Sequence, residues 1–158
     1  ISTTLYHLIT MSNKDFYTDL AFQSKKDDWG TPQDLFDKLN EIHNFDLDVC
    51  ASDHNAKCKN YYTVQDNAFL QEWKGTCFMN PPYGKNTKLW IKKAYEESCK
   101  GTKIVCLLPA RTDTSYWHDY VFKYAKIEFL RGRLKFVMEG KSNPAPFPSA
   151  IVIFGENN

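Results

Sequence analysis

Residues 75–84 (GTCFMNPPYG) constrain the fold of this chain more than any other stretch. Residues 76–79 read as a short buried strand, and after Asn80 two consecutive prolines, Pro81 and Pro82, follow at once. Proline lacks an N–H donor and fixes φ, so the chain must leave the sheet there in an extended, rigid turn. Such a turn holds an amide side chain (Asn80) and an aromatic ring (Tyr83) at the carboxyl end of a strand. In open α/β sheets ligands bind just outside those ends.

The side chains suit one kind of chemistry. The Asn80 side-chain oxygen and a proline carbonyl are two acceptors on a rigid frame, able to hold both hydrogens of a planar –NH2 group. Tyr83 offers a ring to stack on the heterocycle that carries the amine. A conjugated exocyclic amine is a poor nucleophile, and acceptors arranged for a pyramidal nitrogen favour the attacking geometry over the flat ground state. The residues therefore point to methyl transfer to a planar nitrogen. The same letters also make a plain strand-ending turn, because Asn, Pro and Gly are ordinary turn residues.

Around this turn the chain alternates strand and helix signals. Thr31 and Pro32 predict an N-cap and first helical position, followed by Leu35, Phe36, Leu39 and Ile42 at helical spacing up to about residues 43–44. Residues 45–51 (FDLDVCA) predict the first strand. Residues 60–64 suggest a short strand, 65–67 a turn and 68–73 one helical turn. After the double-proline turn, residues 86–99 predict a helix that Gly101 ends, and residues 102–108 (TKIVCLL) a central parallel strand. Asp113 can cap a helix to residue 125. Residues 126–137 read as one long strand broken by Gly132, residues 138–149 as a loop with three prolines, and residues 150–154 as a last strand. With no room for a crossover helix, the last two strands should pair antiparallel. The expected class is α/β, a sheet with helices on both faces and an antiparallel C-terminal hairpin. Trp29, Trp73, Trp90 and Trp117 read as core residues.

At 158 residues, with 42% hydrophobic and 25% charged residues, the chain suits a single globular domain. Residues 1–28, of which 1–10 precede Met11, read as an extension and a polar arm, and residues 29–158 as the domain proper. No apolar run approaches the roughly 20 residues of a membrane span. The five cysteines include no C-x-x-C pair, which favours a reducing cytoplasm. Asp53, His54 and Cys58 match no zinc spacing, so no metal is expected. There is no G-x-G-x-x-G dinucleotide fingerprint. Net charge is +1, but residues 1–82 carry seven Lys/Arg against twelve Asp/Glu and residues 83–141 thirteen against six. The basic half begins at the turn, which suits a phosphate backbone crossing its mouth as well as it suits solvated helix faces.

Together, W-G-T-P-Q-D-L-F (29–36), F-D-L-D-V-C-A-S (45–52), F-M-N-P-P-Y-G (78–84), L-L-P-A-R-T-D-T (107–114), G-R-L-K-F (132–136) and A-P-F-P-S-A (145–150) resemble the phage-encoded DNA N6-adenine methyltransferase (Dam-like) family. The resemblance implies a Rossmann-like sheet and S-adenosylmethionine as methyl donor, with Thr31, Pro32, Asp48, Cys50, Ala51 and Asp66 at cofactor-binding positions. It implies a catalytic turn of Asn80, Pro81, Pro82 and Tyr83 that holds a flipped adenine. Double-stranded DNA is the expected partner, with Arg111, Arg131 and Arg133 as candidate phosphate contacts. No obligate protein partner is implied, and the setting is the cytoplasm of a bacterial host. Across adenine enzymes at large the first residue is more often Asp; Asn80 keeps the acceptor oxygen without the charge. With no room for a separate recognition domain, sequence preference falls to loops such as 84–88 and 138–149. Two alternatives remain open: a methyltransferase acting on RNA or a protein glutamine, and a non-catalytic DNA-binding module of the same fold.

Overall fold

The computed structural model describes residues 29–138 and 140–156. The extension and arm expected over residues 1–28 lie outside the described residues. Helix α1 (Gln33–His43) is followed by β1 (Leu47–Asp48), a 3-10 turn (Ala68–Leu70), β2 (Thr76–Met79), α2 (Thr87–Cys99) and β3 (Lys103–Pro109). A π-helical turn (Trp117–Val121) runs into α3 (Phe122–Tyr124), then β4 (Lys126–Phe129), β5 (Lys135–Met138), β6 (Lys141–Pro144) and β7 (Ser149–Phe154).

Five strands form one sheet in the order β1-β2-β3-β7-β4. The first three are parallel, with Leu47 beside Cys77 and Cys77 beside Ile104. Strand β7 runs antiparallel to both neighbours, pairing Cys106 with Val152 and Ile127 with Val152 on its two edges. The chain is therefore α/β with a mixed sheet, and β4 and β7 form the expected antiparallel C-terminal pair.

Alternation along β3 divides the core. Ile104, Cys106 and Leu108 pack with Trp90, Ile91 and Ala94 of α2 and with Trp117 and Val121. Val105 and Leu107 face the other way, toward Phe36 and Leu39 of α1 and Phe136 of β5. Helices thus cover both faces, and β3 between them is buried on both, as its continuous apolar run requires. Trp73, Trp90 and Trp117 belong to this core, whereas Trp29 is half-buried, edge-on to Phe136 and Phe147.

Several boundaries differ from the sequence expectation. Pro32, not Thr31, is the residue before the first helical turn: its carbonyl accepts the Phe36 N–H at 3.1 Å, and the Thr31 hydroxyl is engaged elsewhere. The first strand shrinks to two paired residues, although Asp46 and Val49 N–H groups still bond to Thr76 and Phe78 carbonyls. The short strand expected over 60–64 is a single parallel bridge from Tyr61 to Asp48.

The long strand expected over 126–137 is two strands in different sheets. Gly132, at φ 76°, lies in the link that redirects the chain. The expected loop over 138–149 contains β6, which folds back on β5 as a separate two-stranded hairpin, Phe136 opposite Asn143. Pro144 sits at the end of this outer strand, where no ladder N–H is demanded of it. The hairpin is held to the body by Phe136 in the core and by Gly30, whose N–H and C=O both bond to Val137, at 3.0 and 2.9 Å.

Candidate active site

Strand β2 delivers Asn80 to the carboxyl end of the parallel strands, and the turn behind it is fastened to α2. The Thr87 hydroxyl donates to the Pro82 carbonyl at 2.8 Å and accepts the Gly84 N–H at 2.8 Å. Because Pro81 and Pro82 donate nothing, this buried hydroxyl, with the Thr87 N–H on the Gly84 carbonyl at 3.2 Å, ties the turn to the start of the helix.

The Asn80 amide is engaged on both sides. Its Nδ2 donates to the Trp29 carbonyl and, at 2.9 Å, to the Thr31 hydroxyl oxygen. Its Oδ1 accepts the Tyr83 hydroxyl at 2.7 Å. A backbone carbonyl only accepts, so the amide edge facing Trp29 must be the nitrogen, and the oxygen is directed to the opposite side.

Tyr83 lies beneath the turn. Its ring is only 4% exposed and meets Phe136 and Phe147 edge-on, at 6.1 and 5.5 Å between centroids. Its single hydroxyl proton has two acceptors in range, Asn80 Oδ1 and the Leu107 carbonyl at 2.9 Å. Burial lifts its pKa well above the usual phenol value, so the hydroxyl stays a donor. The ring face expected to stack on a substrate is covered in this conformation. The position anchors the turn.

A cleft of about 1210 Å³ opens beside Asn80. Thr31, Asp48, Cys50, Ala51, Asn80, Pro81 and Pro82 line it; Tyr83, Pro32 and Asp66 do not. Asp48 is 3% exposed, and its two carboxylate oxygens accept the Cys50 and Lys57 N–H groups at 3.2 and 3.1 Å, which shapes the loop after β1. Burial raises its pKa to about 6, against the opposing pull of those two bonds. Asp66 turns its carboxylate to the Thr63 N–H and hydroxyl, at 2.8 and 3.1 Å, and so sets the position of Thr63, which does line the cleft.

The three arginines are exposed and stand outside the cleft lining. Arg111 follows β3, with its guanidinium 5.1 Å from the centre of the Phe147 ring. Arg131 and Arg133 lie on the link between β4 and β5. Among the described residues no group of three or more His, Cys, Asp or Glu side chains is placed to hold a metal ion. Among them, too, no helix is long and apolar enough to cross a membrane.

Sequence reasoning missed the form of two contributors. One is the stretch over 138–149, expected as a preference-setting loop, which joins β5 in a hairpin whose Val137, Met138, Lys141 and Asn143 form a wall of the cleft. The other is Gly30, where a Cβ would lie 2.5 Å from the Val137 carbonyl oxygen. The glycine inside W-G-T-P was the available signal for a close backbone approach.

Fold and site together describe an α/β protein with a large cleft at the carboxyl ends of parallel strands and a rigid Asn-Pro-Pro-Tyr turn on its wall. The sequence profile of the DNA N-6-adenine-methyltransferase (Dam) family matches residues 19–156, and the chain belongs to that family. It is 34% identical over 120 residues to the DNA N-6-adenine-methyltransferase of Haemophilus phage HP1 (strain HP1c1), covering 73% of this chain and 69% of that protein. It is 29% identical over 119 residues to the protein of the same name from Escherichia phage T1, again covering 73% of this chain but 49% of the relative. A shorter match, 42% over 65 residues, is to the putative methyltransferase YfdM of Escherichia coli (strain K12).

Proposed function

We propose that residues 29–158 form a methyltransferase domain that transfers a methyl group from S-adenosylmethionine to the N6 amine of adenine in double-stranded DNA. The observation that carries this reading is the Asn80 amide, fixed so that its oxygen is the edge available to an amine, on a turn at the wall of the cleft. The cleft volume of about 1210 Å³ exceeds the roughly 300–1,000 Å³ of ordinary single-ligand sites. It leaves room for a cofactor and a flipped base side by side.

The residues present fit the cofactor in chemistry. Asp48 puts a carboxylate at the cleft beside Cys50 and Ala51, suited to a molecule with ammonium and sulfonium charges, and Thr63 adds a hydroxyl. When bound, the cofactor supplies an already activated methyl group, so no metal is required of the protein. The protein's work is positioning. Asn80 Oδ1 and the Pro81 carbonyl accept the two amine hydrogens and favour the pyramidal nitrogen. The base must be taken out of the stack to reach them. As it arrives, the Tyr83 proton can swing from Asn80 Oδ1 to the Leu107 carbonyl without moving the ring. Arg111, Arg131 and Arg133 serve the DNA phosphates, and the hairpin reads flanking bases. The setting is the cytoplasm, where the DNA lies.

The test is transfer of labelled methyl from S-adenosylmethionine to unmethylated DNA, followed by digestion to nucleosides, with Asn80→Ala alongside. Label in N6-methyladenine, absent from the variant, is the expected result. Label in RNA or protein and none in DNA would replace this reading with the other substrate classes.

A further inference from the structure

The geometry points to Thr31 as a positioning residue for the transfer step, acting through Asn80 rather than on the cofactor. This rests on the reading of Asn80 as the residue that holds the target amine. A primary amide can present either edge to a ligand, and the two edges have opposite hydrogen-bonding character. Here the nitrogen edge is committed twice, to the Trp29 carbonyl and to the Thr31 hydroxyl at 2.9 Å. Thr31 is 5% exposed, so its side chain is largely shielded from bulk solvent although it borders the cleft. The two acceptors lie on either side of Gly30, whose backbone pairs with Val137 at 3.0 and 2.9 Å. The hairpin wall, the extended segment before α1 and the catalytic amide are thus one hydrogen-bonded chain.

The arrangement also accounts for an amide at this position. A carboxylate at residue 80 has no hydrogen to offer the Trp29 carbonyl and would set two acceptors against each other. Asn80→Asp is therefore expected to impair this chain, even though a carboxylate retains an acceptor oxygen for the amine.

The experiment compares Thr31→Val, which keeps the branched shape and removes the acceptor, with Thr31→Ser, which restores it. For Val, kcat should fall about tenfold or more while the dissociation constant for S-adenosylmethionine, measured by calorimetry, stays within about twofold; Ser should recover most of kcat. In ¹⁵N-labelled protein, the Asn80 side-chain NH2 signals are assigned by their loss in Asn80→Ala. One of the pair should move upfield in Thr31→Val and return in Thr31→Ser. Cofactor affinity falling by the same factor as turnover would make Thr31 a cofactor contact and overturn the inference. So would an Asn80 signal that Thr31→Val leaves unmoved. If the unaltered protein transfers no methyl group to DNA, the proposed reaction fails, and the amide signal alone decides the part of Thr31.

Discussion

Gly30 and Val137 are in such close backbone contact that a methyl group on Gly30 would lie 2.5 Å from the Val137 carbonyl oxygen. Their two hydrogen bonds fasten the hairpin to the segment that holds the Asn80 amide. Gly30→Ala must push β5 away. We expect a loss of about 1–3 kcal/mol in urea unfolding and a fall in turnover larger than the fall in cofactor affinity. An unchanged unfolding midpoint would show that the hairpin has room to shift.

Tyr83→Phe separates the hydroxyl from the ring. The ring fills space against Phe136 and Phe147, so the fold should persist, with about 1–3 kcal/mol lost because Asn80 Oδ1 loses its donor. Turnover should stay within about threefold, since the hydroxyl only occupies Asn80 Oδ1 until an amine arrives. A loss as deep as that of Asn80→Ala would put the hydroxyl into the chemistry.

Asp48 should make cofactor binding sensitive to pH. Its carboxyl is raised from 3.8 to about 6 by burial, so the folded protein favours the protonated form; its contribution to stability falls as pH rises from 3.8 to about 6 and is level above. Binding of a cationic cofactor favours the ionised form instead. Affinity for S-adenosylmethionine should therefore weaken about tenfold from pH 7 to pH 5, and Asp48→Asn should flatten that dependence. Calorimetry across this range decides it; a flat profile for the unaltered protein would remove Asp48 from the cofactor's charge balance.

Glu97 carries a separate, structural prediction. It is 1% exposed, and its carboxylate bonds to Lys93 and Lys100, both at 3.0 Å, and accepts the Trp73 N–H at 3.1 Å. Burial alone would raise its pKa, but these donors hold it below the usual 4.5. The stabilisation is present above 4.5 and is lost as pH falls through the depressed value. Glu97→Gln should cost about 1–3 kcal/mol at pH 7 and progressively less in acid, measured by urea unfolding at several pH values.

Arg111→Ala should weaken DNA binding across sequences and lower the salt slope, d log K/d log[salt], by about one, as loss of one phosphate contact requires. Cofactor affinity should not change. A slope equal to that of the unaltered protein would assign Arg111 to packing on Phe147 alone.

What could be read from the chain was whatever short-range chemistry dictates. The bounds of β2 follow from the prolines after it, the end of α1 from Asn44 in the left-handed region, and the end of α2 from Gly101 at φ 101°. Long-range pairing is a different matter. Thr31 and Asn80 are 49 residues apart and Tyr83 and Leu107 are 24 apart, so no local pattern announces either bond. The hairpin was hidden for a related reason. Prolines and polar residues describe a loop until β5 supplies the partner, and β6 is exposed along its whole length, with no apolar face to advertise it. Leu130 and Leu134, flanking Gly132, gave no sign that the chain there changes sheets.

Strands β4 and β7 are immediate neighbours, and the Leu130 N–H closes the gap between them on the Ser149 carbonyl at 3.0 Å. Residues 131–148 therefore leave and rejoin the sheet at a single point, like a side branch spliced into a finished frame. Its length can change without altering any strand order, provided Phe136, Ala145 and Phe147 keep their places in the core and Val137 its two bonds to Gly30. Chains that share this frame are free to diversify at the tip of the branch, and an engineer can graft there while the Asn-Pro-Pro-Tyr turn stays intact.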